Sequence, residues 1–136
     1  MKYVFDACAL IAVLKKEKGA DKINSLLEEA IIGQSEIFMS SINLIEVHYG
    51  LLRTLEKEKA NTVLENIYEL PINFINTIDE VIFHESARLK AQYAIPLGDS
   101  IGLATAIRFG SVFVTSDHDD FEEIEKAENI SFFWFR

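Results

Sequence analysis

Short apolar runs alternate with longer amphipathic segments along the whole chain. The short runs predict strands, because they are too brief for helices and are rich in aromatic and β-branched residues. We place five strands near positions 3–5, 37–39, 72–75, 112–114 and 130–133.

Between these runs, apolar residues recur every three or four positions, the spacing of an amphipathic helix. Strands that are separated by helices need crossover connections, so the pattern predicts an α/β fold with a mostly parallel sheet. Helices are expected at about 7–16, 23–31, 41–55, 57–68, 79–93, 99–109 and 117–128.

Four acidic residues stand where an apolar segment ends or inside a predicted helix: Asp6, Glu46, Asp99 and Asp117. Ligands of parallel sheets bind beyond the carboxyl ends of the strands, where Asp6 and Asp117 fall. Converging carboxylates repel one another unless a hard cation such as Mg²⁺ or Mn²⁺ neutralises them. A fold that gathers these four side chains would therefore create a metal site.

A simpler interpretation is available for three of these residues. Asp6, Asp99 and Asp117 could each be a helix N-cap that contributes about 1 kcal/mol of stability. After the fourth strand, one of Asp117 and Asp120 is favoured as a metal ligand over both together, and Asp119 is expected to face solvent.

Glu46 is too far inside its helix to close a capping box with a serine at the helix start. It is either a functional carboxylate or part of a solvated stripe with Ile42, Tyr49 and Arg53. Gly50 lies one turn further on, where glycine costs up to about 1 kcal/mol relative to alanine. A helix that accepts this cost suggests a close approach at that face.

Composition narrows the class of protein. With 136 residues and 49% hydrophobic content, the chain is expected to fold as one domain, 1–136. No apolar stretch suggests a membrane span, and nothing resembles a secretory signal, so we expect a cytoplasmic protein. The net charge of −9 disfavours broad nucleic-acid binding. A local basic patch or a bound metal could still permit it.

Four segments of the chain, in order, resemble the motifs of PIN-domain nucleases, and the nearest subgroup is the VapC-type toxins of toxin–antitoxin pairs. The segments are Asp6 to Leu10; Ser41 with Glu46 and Gly50; Gly98-Asp99 leading into Ala104-Thr105-Ala106; and Thr115 to Phe121.

This resemblance implies a PIN-like three-layer fold with helices on both faces of the sheet. It implies an endoribonuclease that depends on Mg²⁺ or Mn²⁺ and hydrolyses RNA with a metal-activated water. Asp6, Glu46, Asp99 and Asp117 match the acidic set of the family. The resemblance also implies a small antitoxin partner and a homodimer.

Other residues are weaker candidates. Thr115 could orient a ligand or phosphate, or could bond to nearby backbone; Asp120 could add a further carboxylate. Arg53 is the first candidate for an RNA contact, because it shares a helix face with Glu46. The other basic candidates are Lys15, Lys16, Lys18, Arg88 and Lys90.

Cys8 departs from the resemblance, since serine or threonine often stands at its position in the family. A thiol supports a carboxylate by hydrogen bonding only weakly. We expect Cys8 to be buried rather than reactive.

Two alternatives remain at the level of sequence. A phosphoacceptor receiver domain is also a small parallel α/β fold with Mg²⁺-binding acids. It would need an acidic pair after the first strand, whereas this chain offers Asp6 alone. A catalytically silent binding module with the PIN fold is the second alternative.

Overall fold

The central sheet contains five strands, and every neighbouring pair runs parallel. The computed structural model describes all residues, Met1–Arg136. The spatial order of the strands is β3-β2-β1-β4-β5. The prediction of an α/β fold with a parallel sheet is confirmed. The strands are β1 (Lys2–Phe5), β2 (Glu36–Ser40), β3 (Asn73–Ile75), β4 (Val112–Thr115) and β5 (Phe132–Trp134).

Seven helices connect or flank these strands, and none combines the length and hydropathy that a bilayer-spanning segment needs. Their positions match the amphipathic segments of the sequence, with shifts of a few residues at the ends. The helices are α1 (Ala7–Leu14), α2 (Ala20–Ile31), α3 (Ser41–Thr54), α4 (Lys57–Tyr68), α5 (Glu80–Gln92), α6 (Leu97–Phe109) and α7 (His118–Ala127).

The sheet separates two hydrophobic cores, which gives the fold its three layers. Successive side chains of a strand point to opposite faces. In β1, Tyr3 and Phe5 therefore join the core formed with α1 to α4. Val4, between them, joins the core formed with α5, α6 and α7. Near the C-terminus, Phe135 is buried in the first core.

The order of the strands creates a crevice at the centre of the sheet. The chain builds outward from β1 through β2 to β3, and then returns to place β4 on the other side of β1. The direction of winding thus reverses between β1 and β4, and ligands of open α/β sheets bind at such switch points. Asp6 follows β1 and Asp117 follows β4, so both lie at this edge.

Two of the three predicted helix caps are confirmed. Asp6 caps α1, and Asp117 caps α7 by accepting a hydrogen bond from the Asp120 backbone N–H at 3.2 Å. The expected cap at Asp99 is wrong, because α6 begins at Leu97 and Asp99 is the third helical residue. Pro96 immediately precedes the helix. A proline is tolerated there because it lacks an N–H, and the residues at a helix start do not need to donate a hydrogen bond within the helix.

Candidate functional site

Asp6 is a buried carboxylate that is held at both oxygens. It is 5% exposed. Oδ1 accepts a hydrogen bond from the Ala7 N–H at 2.8 Å, and Oδ2 accepts one from Thr115 Oγ1 at 3.0 Å. Burial raises the pKa of Asp6 to about 6, although these hydrogen bonds act in the opposite direction. The hydrogen bonds therefore fix the orientation of the carboxylate, but they do not fully offset the cost of burying its charge.

Thr115 and Cys8 connect β4 to Asp6. Thr115 is fully buried, and its hydroxyl also accepts a hydrogen bond from the Asp117 N–H at 3.1 Å. The Cys8 thiol lies half-buried, donates to Asp6 Oδ2 at 3.3 Å and accepts from the Ser116 N–H at 3.4 Å. Burial, and then the nearby Asp6, raise the pKa of Cys8 to about 12, so the thiol stays protonated. The protonated thiol thus makes the hydrogen bond to Asp6 that a serine or threonine hydroxyl would make at this position.

Asp99, Asp117 and Asp120 form a compact cluster of carboxylates. One oxygen from each lies within 4.8 Å of the other two. Asp99 is 8% exposed, and its pKa is raised well above the usual range by burial and then by the charges of Asp6 and Asp120. Burial also raises the pKa of Asp117. Both Asp117 and Asp120 therefore lie close to Asp99. The sequence alone favours only one of these two residues as a metal ligand.

Glu46 lies half-buried against the first turn of α6. Its Oε1 accepts a hydrogen bond from Asn43 Nδ2 at 2.8 Å. A Cβ added to Gly98 would lie 2.6 Å from the same oxygen, so the absence of a side chain at Gly98 makes room for the carboxylate. The charge of Glu46 contributes to the raised pKa values of Asp6 and Asp99. The interpretation of Glu46 as part of a solvated stripe is therefore wrong.

The close approach expected at Gly50 is also wrong. No atom lies within 4 Å of a Cβ added to Gly50. The close approach of α3 occurs instead at the turn of Asn43 and Glu46, where α6 supplies the glycines, Gly98 and Gly102.

No positive side chain compensates these carboxylates. The ion pairs of the protein join Arg88 to Glu85 and Glu128, Arg108 to Asp79, His118 to Glu122, and Arg136 to Glu17. The five converging acids are absent from all of them: Asp6, Glu46, Asp99, Asp117 and Asp120. A set of oxygen donors that is partly buried and lacks a counter-charge fits a hard divalent cation.

The basic residues that were candidates for RNA contacts fall into two groups: some already form ion pairs or hydrogen bonds within the protein, and others do not. The Arg53 guanidinium is exposed and lies 5.0 Å from the ring centroid of Tyr49, with no ion pair. Arg88 forms two ion pairs, and Lys90 Nζ donates to the Ile95 carbonyl at 2.7 Å, so both have structural roles. His118 begins α7 and bonds to Glu122 and the Arg136 carbonyl. Lys15, Lys16 and Lys18 are exposed.

Sequence reasoning missed Asn43. This residue is completely buried and donates to both Glu46 and the Gly98 carbonyl. A signal was present, because Asn43 occupies the core-facing stripe of α3 with Leu44, Val47 and Leu51. A polar residue in such a stripe needs hydrogen-bond partners, and one turn of helix separates Asn43 from Glu46.

The fold and the converging acids are those of a known class of protein. The family model of the PIN domain matches residues 3–127. The chain therefore belongs to the PIN domain family, which decides against the receiver-domain alternative.

Solved structures of toxin–antitoxin complexes are similar in fold. VapBC2 from Rickettsia felis, bound to promoter DNA, has a TM-score of 0.77 at 19% identity and covers 98% of each chain. VapBC-1 from nontypeable Haemophilus influenzae has a TM-score of 0.75 at 21% identity, covering 99% of this chain and 98% of that one.

A toxin–antitoxin complex from Klebsiella pneumoniae has a TM-score of 0.66 at 26% identity, covering 90% of this chain and 92% of that one. No curated protein sequence matches the chain significantly.

The raised pKa values predict how the metal-free protein responds to pH. A carboxyl group with a raised pKa binds its proton more tightly in the folded state, so stability falls as pH rises through the window between the unfolded and folded pKa values. We expect the metal-free protein to lose stability from about pH 4 upward. Asp99→Asn should reduce this slope and stabilise the protein at pH 7.5 by about 1 kcal/mol or more.

Urea unfolding in EDTA at pH 5.5, 6.5 and 7.5 measures this effect. Asp119→Asn is the matched control, because Asp119 is exposed on the same acidic segment. If both variants shifted the free energy of unfolding equally at every pH, the account of charge repulsion at Asp99 would be wrong.

Gly98→Ala should displace Glu46, because the new Cβ would overlap its carboxylate. We expect the variant to fold, since the atom it meets is the end of a flexible side chain. The increase in melting temperature on adding Mn²⁺ should shrink relative to the wild type. Gly50→Ala, the control, should leave that increase unchanged, because open space surrounds the new methyl group. Equal responses to Mn²⁺ in both variants would contradict this arrangement.

Proposed function

We propose that this protein is an endoribonuclease that uses Mg²⁺ or Mn²⁺ and that residues 1–136 act as one PIN domain. The observation that carries this proposal is the convergence of five carboxylates, without a counter-charge, at the switch point of the sheet. A phosphodiester is an anion and would be repelled by these groups alone, so the substrate requires a cation.

Asp6, Glu46, Asp99 and Asp117 would hold the cation together with Asp120, whose carboxylate lies within 4.8 Å of those of Asp99 and Asp117. When bound, a divalent cation neutralises the phosphate, makes a water molecule more acidic and stabilises the leaving oxygen. Thr115 and Cys8 fix the orientation of Asp6. Asn43 and Gly98 fix the place of Glu46.

Water is the nucleophile that this site favours. The Thr115 hydroxyl is fully buried and already donates to Asp6. The Cys8 thiol has a pKa of about 12, and a thiol must be deprotonated to attack. With neither side chain available, hydrolysis by water is favoured. The resemblance to PIN-domain nucleases, rather than the geometry, implies products with 5′-phosphate and 3′-hydroxyl ends.

Arg53 is the candidate for the first RNA contact. It is the only one of the four arginines outside an ion pair, and it lies on α3, two turns beyond Glu46. Tyr49, beneath its guanidinium, is 47% exposed. An exposed aromatic ring with a cation suits a single-stranded nucleic acid, whose bases stack and whose phosphates need positive charge. The net charge of −9 makes such local contacts necessary.

The protein is further proposed to act in the cytoplasm as the toxin of a toxin–antitoxin pair and to form a homodimer. The similar structures named above are toxin–antitoxin complexes. Ile45 and Leu52 are exposed apolar side chains of α3 that line one surface groove, and this supports assembly with a protein partner, since clustered apolar surface often marks an interface. A catalytically silent module with the same partners is the alternative that an activity assay must exclude.

The assay compares cleavage of single-stranded RNA by the wild type, Asp6→Asn and Asp99→Asn, with Mg²⁺ or Mn²⁺ and with EDTA. We expect both variants to lose activity by about 100-fold or more, because each removes a charge from the cation site. EDTA should abolish cleavage by the wild type.

Asp119→Asn serves as the control and should cleave like the wild type, since its carboxylate faces solvent. Equal activity in the wild type, Asp6→Asn and Asp99→Asn would show that the nuclease activity does not depend on these two carboxylates. The absence of cleavage in all proteins would favour the silent module.

A further inference from the structure

Asn43 is a polar residue in the interior of α3. Its exposed fraction is 0%, and the neighbouring inward-facing residues are Leu44, Val47 and Leu51. Burying an amide in such surroundings destabilises a protein unless hydrogen bonds compensate the lost hydration. The contacts of this one side chain therefore indicate what it does.

The amide nitrogen of Asn43 bridges two helices. Nδ2 donates to Glu46 Oε1 at 2.8 Å, within α3, and to the Gly98 carbonyl at 3.2 Å, in the first turn of α6. The same turn carries Asp99. Asn43 thereby ties the carboxylate of Glu46 to the backbone that places Asp99.

The orientation of the amide follows from these acceptors. A carboxylate and a carbonyl accept hydrogen bonds but cannot donate them, so only the NH₂ group of Asn43 can face them. The amide oxygen then points toward Gly102, where an added Cβ would lie 3.0 Å from it. Both α6 glycines, Gly98 and Gly102, thus leave space for this arrangement of Asn43 and Glu46.

The amide oxygen is buried and has no hydrogen-bond partner among the atoms of the protein. An unsatisfied buried acceptor destabilises the fold, and an apolar residue of similar shape would avoid this cost. Stability alone therefore explains Asn43 poorly. The two hydrogen bonds that Nδ2 donates explain the presence of Asn43 better, because one holds the Glu46 carboxylate and the other holds the Gly98 carbonyl beside Asp99.

We propose that Asn43 is a positioning residue, which holds Glu46 beside Asp99 so that the acidic site can bind its divalent cation. This inference rests on the proposed metal-dependent nuclease function. Asn43 acts through Glu46 and touches neither the cation nor the RNA. Residues that orient metal ligands typically change metal affinity or activity by about 10–100-fold when they are replaced.

The test is a double-mutant cycle on Mn²⁺ affinity, measured by isothermal titration calorimetry. Asn43→Leu keeps the branching of the side chain at Cγ, with bulkier methyl groups, and removes the donors. Asn43→Ala is the second variant, should leucine not fit against Gly102. Each is made alone and together with Glu46→Ala. Asn24→Ala, at an exposed asparagine of α2, is the control. Circular dichroism and urea unfolding establish that every variant is folded.

We expect Asn43→Leu to weaken Mn²⁺ binding by about tenfold or more. In the Glu46→Ala background the same change should alter the affinity by less than about twofold, because the residue through which Asn43 acts is gone. For RNA cleavage, kcat should fall while KM for RNA changes little, since Asn43 is completely buried and offers no surface to RNA. Asn24→Ala should match the wild type in all measurements.

Wild-type Mn²⁺ affinity in folded Asn43→Leu and Asn43→Ala would overturn the inference and leave the proposed function intact. A weakening of equal size with and without Glu46 would also overturn it, because Asn43 would then act on the fold in general. A wild type that neither binds Mn²⁺ nor cleaves RNA would instead overturn the proposed function, and the inference with it.

Discussion

The burial of carboxylates that also repel one another is the constraint on which the whole site depends. Asp6 and Asp99 are less than 10% exposed, and burial raises the pKa of both. Nearby carboxylates raise these pKa values further: Glu46 acts on Asp6, and Asp6, Asp120 and Glu46 act on Asp99. Every ion pair of the protein lies elsewhere. A fold that keeps such groups together without a cation gives up stability, and a divalent ion is the partner whose charge and ligand preference fit them.

The fold supports this concentration of charge through rigid elements. Asp6 and Asp117 are fixed by the parallel pairing of β1 and β4 and by capping the helices that follow. Helix α6 brings Asp99 into the same crevice, because small residues let it pack closely against the sheet. A Cβ on Gly102, for example, would lie 3.3 Å from the ring of Phe113. The site is therefore as rigid as the core beneath it.

The sequence predicts the strands and the carboxyl-edge acids well because these follow from local pattern and from sheet geometry. Asp6 and Asp117 end apolar runs, and parallel strands bring such ends to one edge. The periodicity of α3 places Asn43 on its buried face, but the hydrogen bond of Asn43 to the Gly98 carbonyl and the role of Gly98 could not be predicted in this way. Both depend on how closely α3 and α6 approach, which is set by tertiary packing. The beginning of α6 at Leu97, before Asp99, was missed for a related reason: Pro96 and Gly98 suggest a turn, but both fit a helical start.

The most direct measurement of the central claim is anomalous diffraction from crystals grown or soaked with Mn²⁺. The account predicts a single strong peak, or two adjacent peaks, within coordinating distance of Asp99, Asp117 and Asp120, and its loss in Asp99→Asn crystals. A Mn²⁺ peak bound elsewhere with this cluster empty, or a peak that persists unchanged in Asp99→Asn, would contradict it.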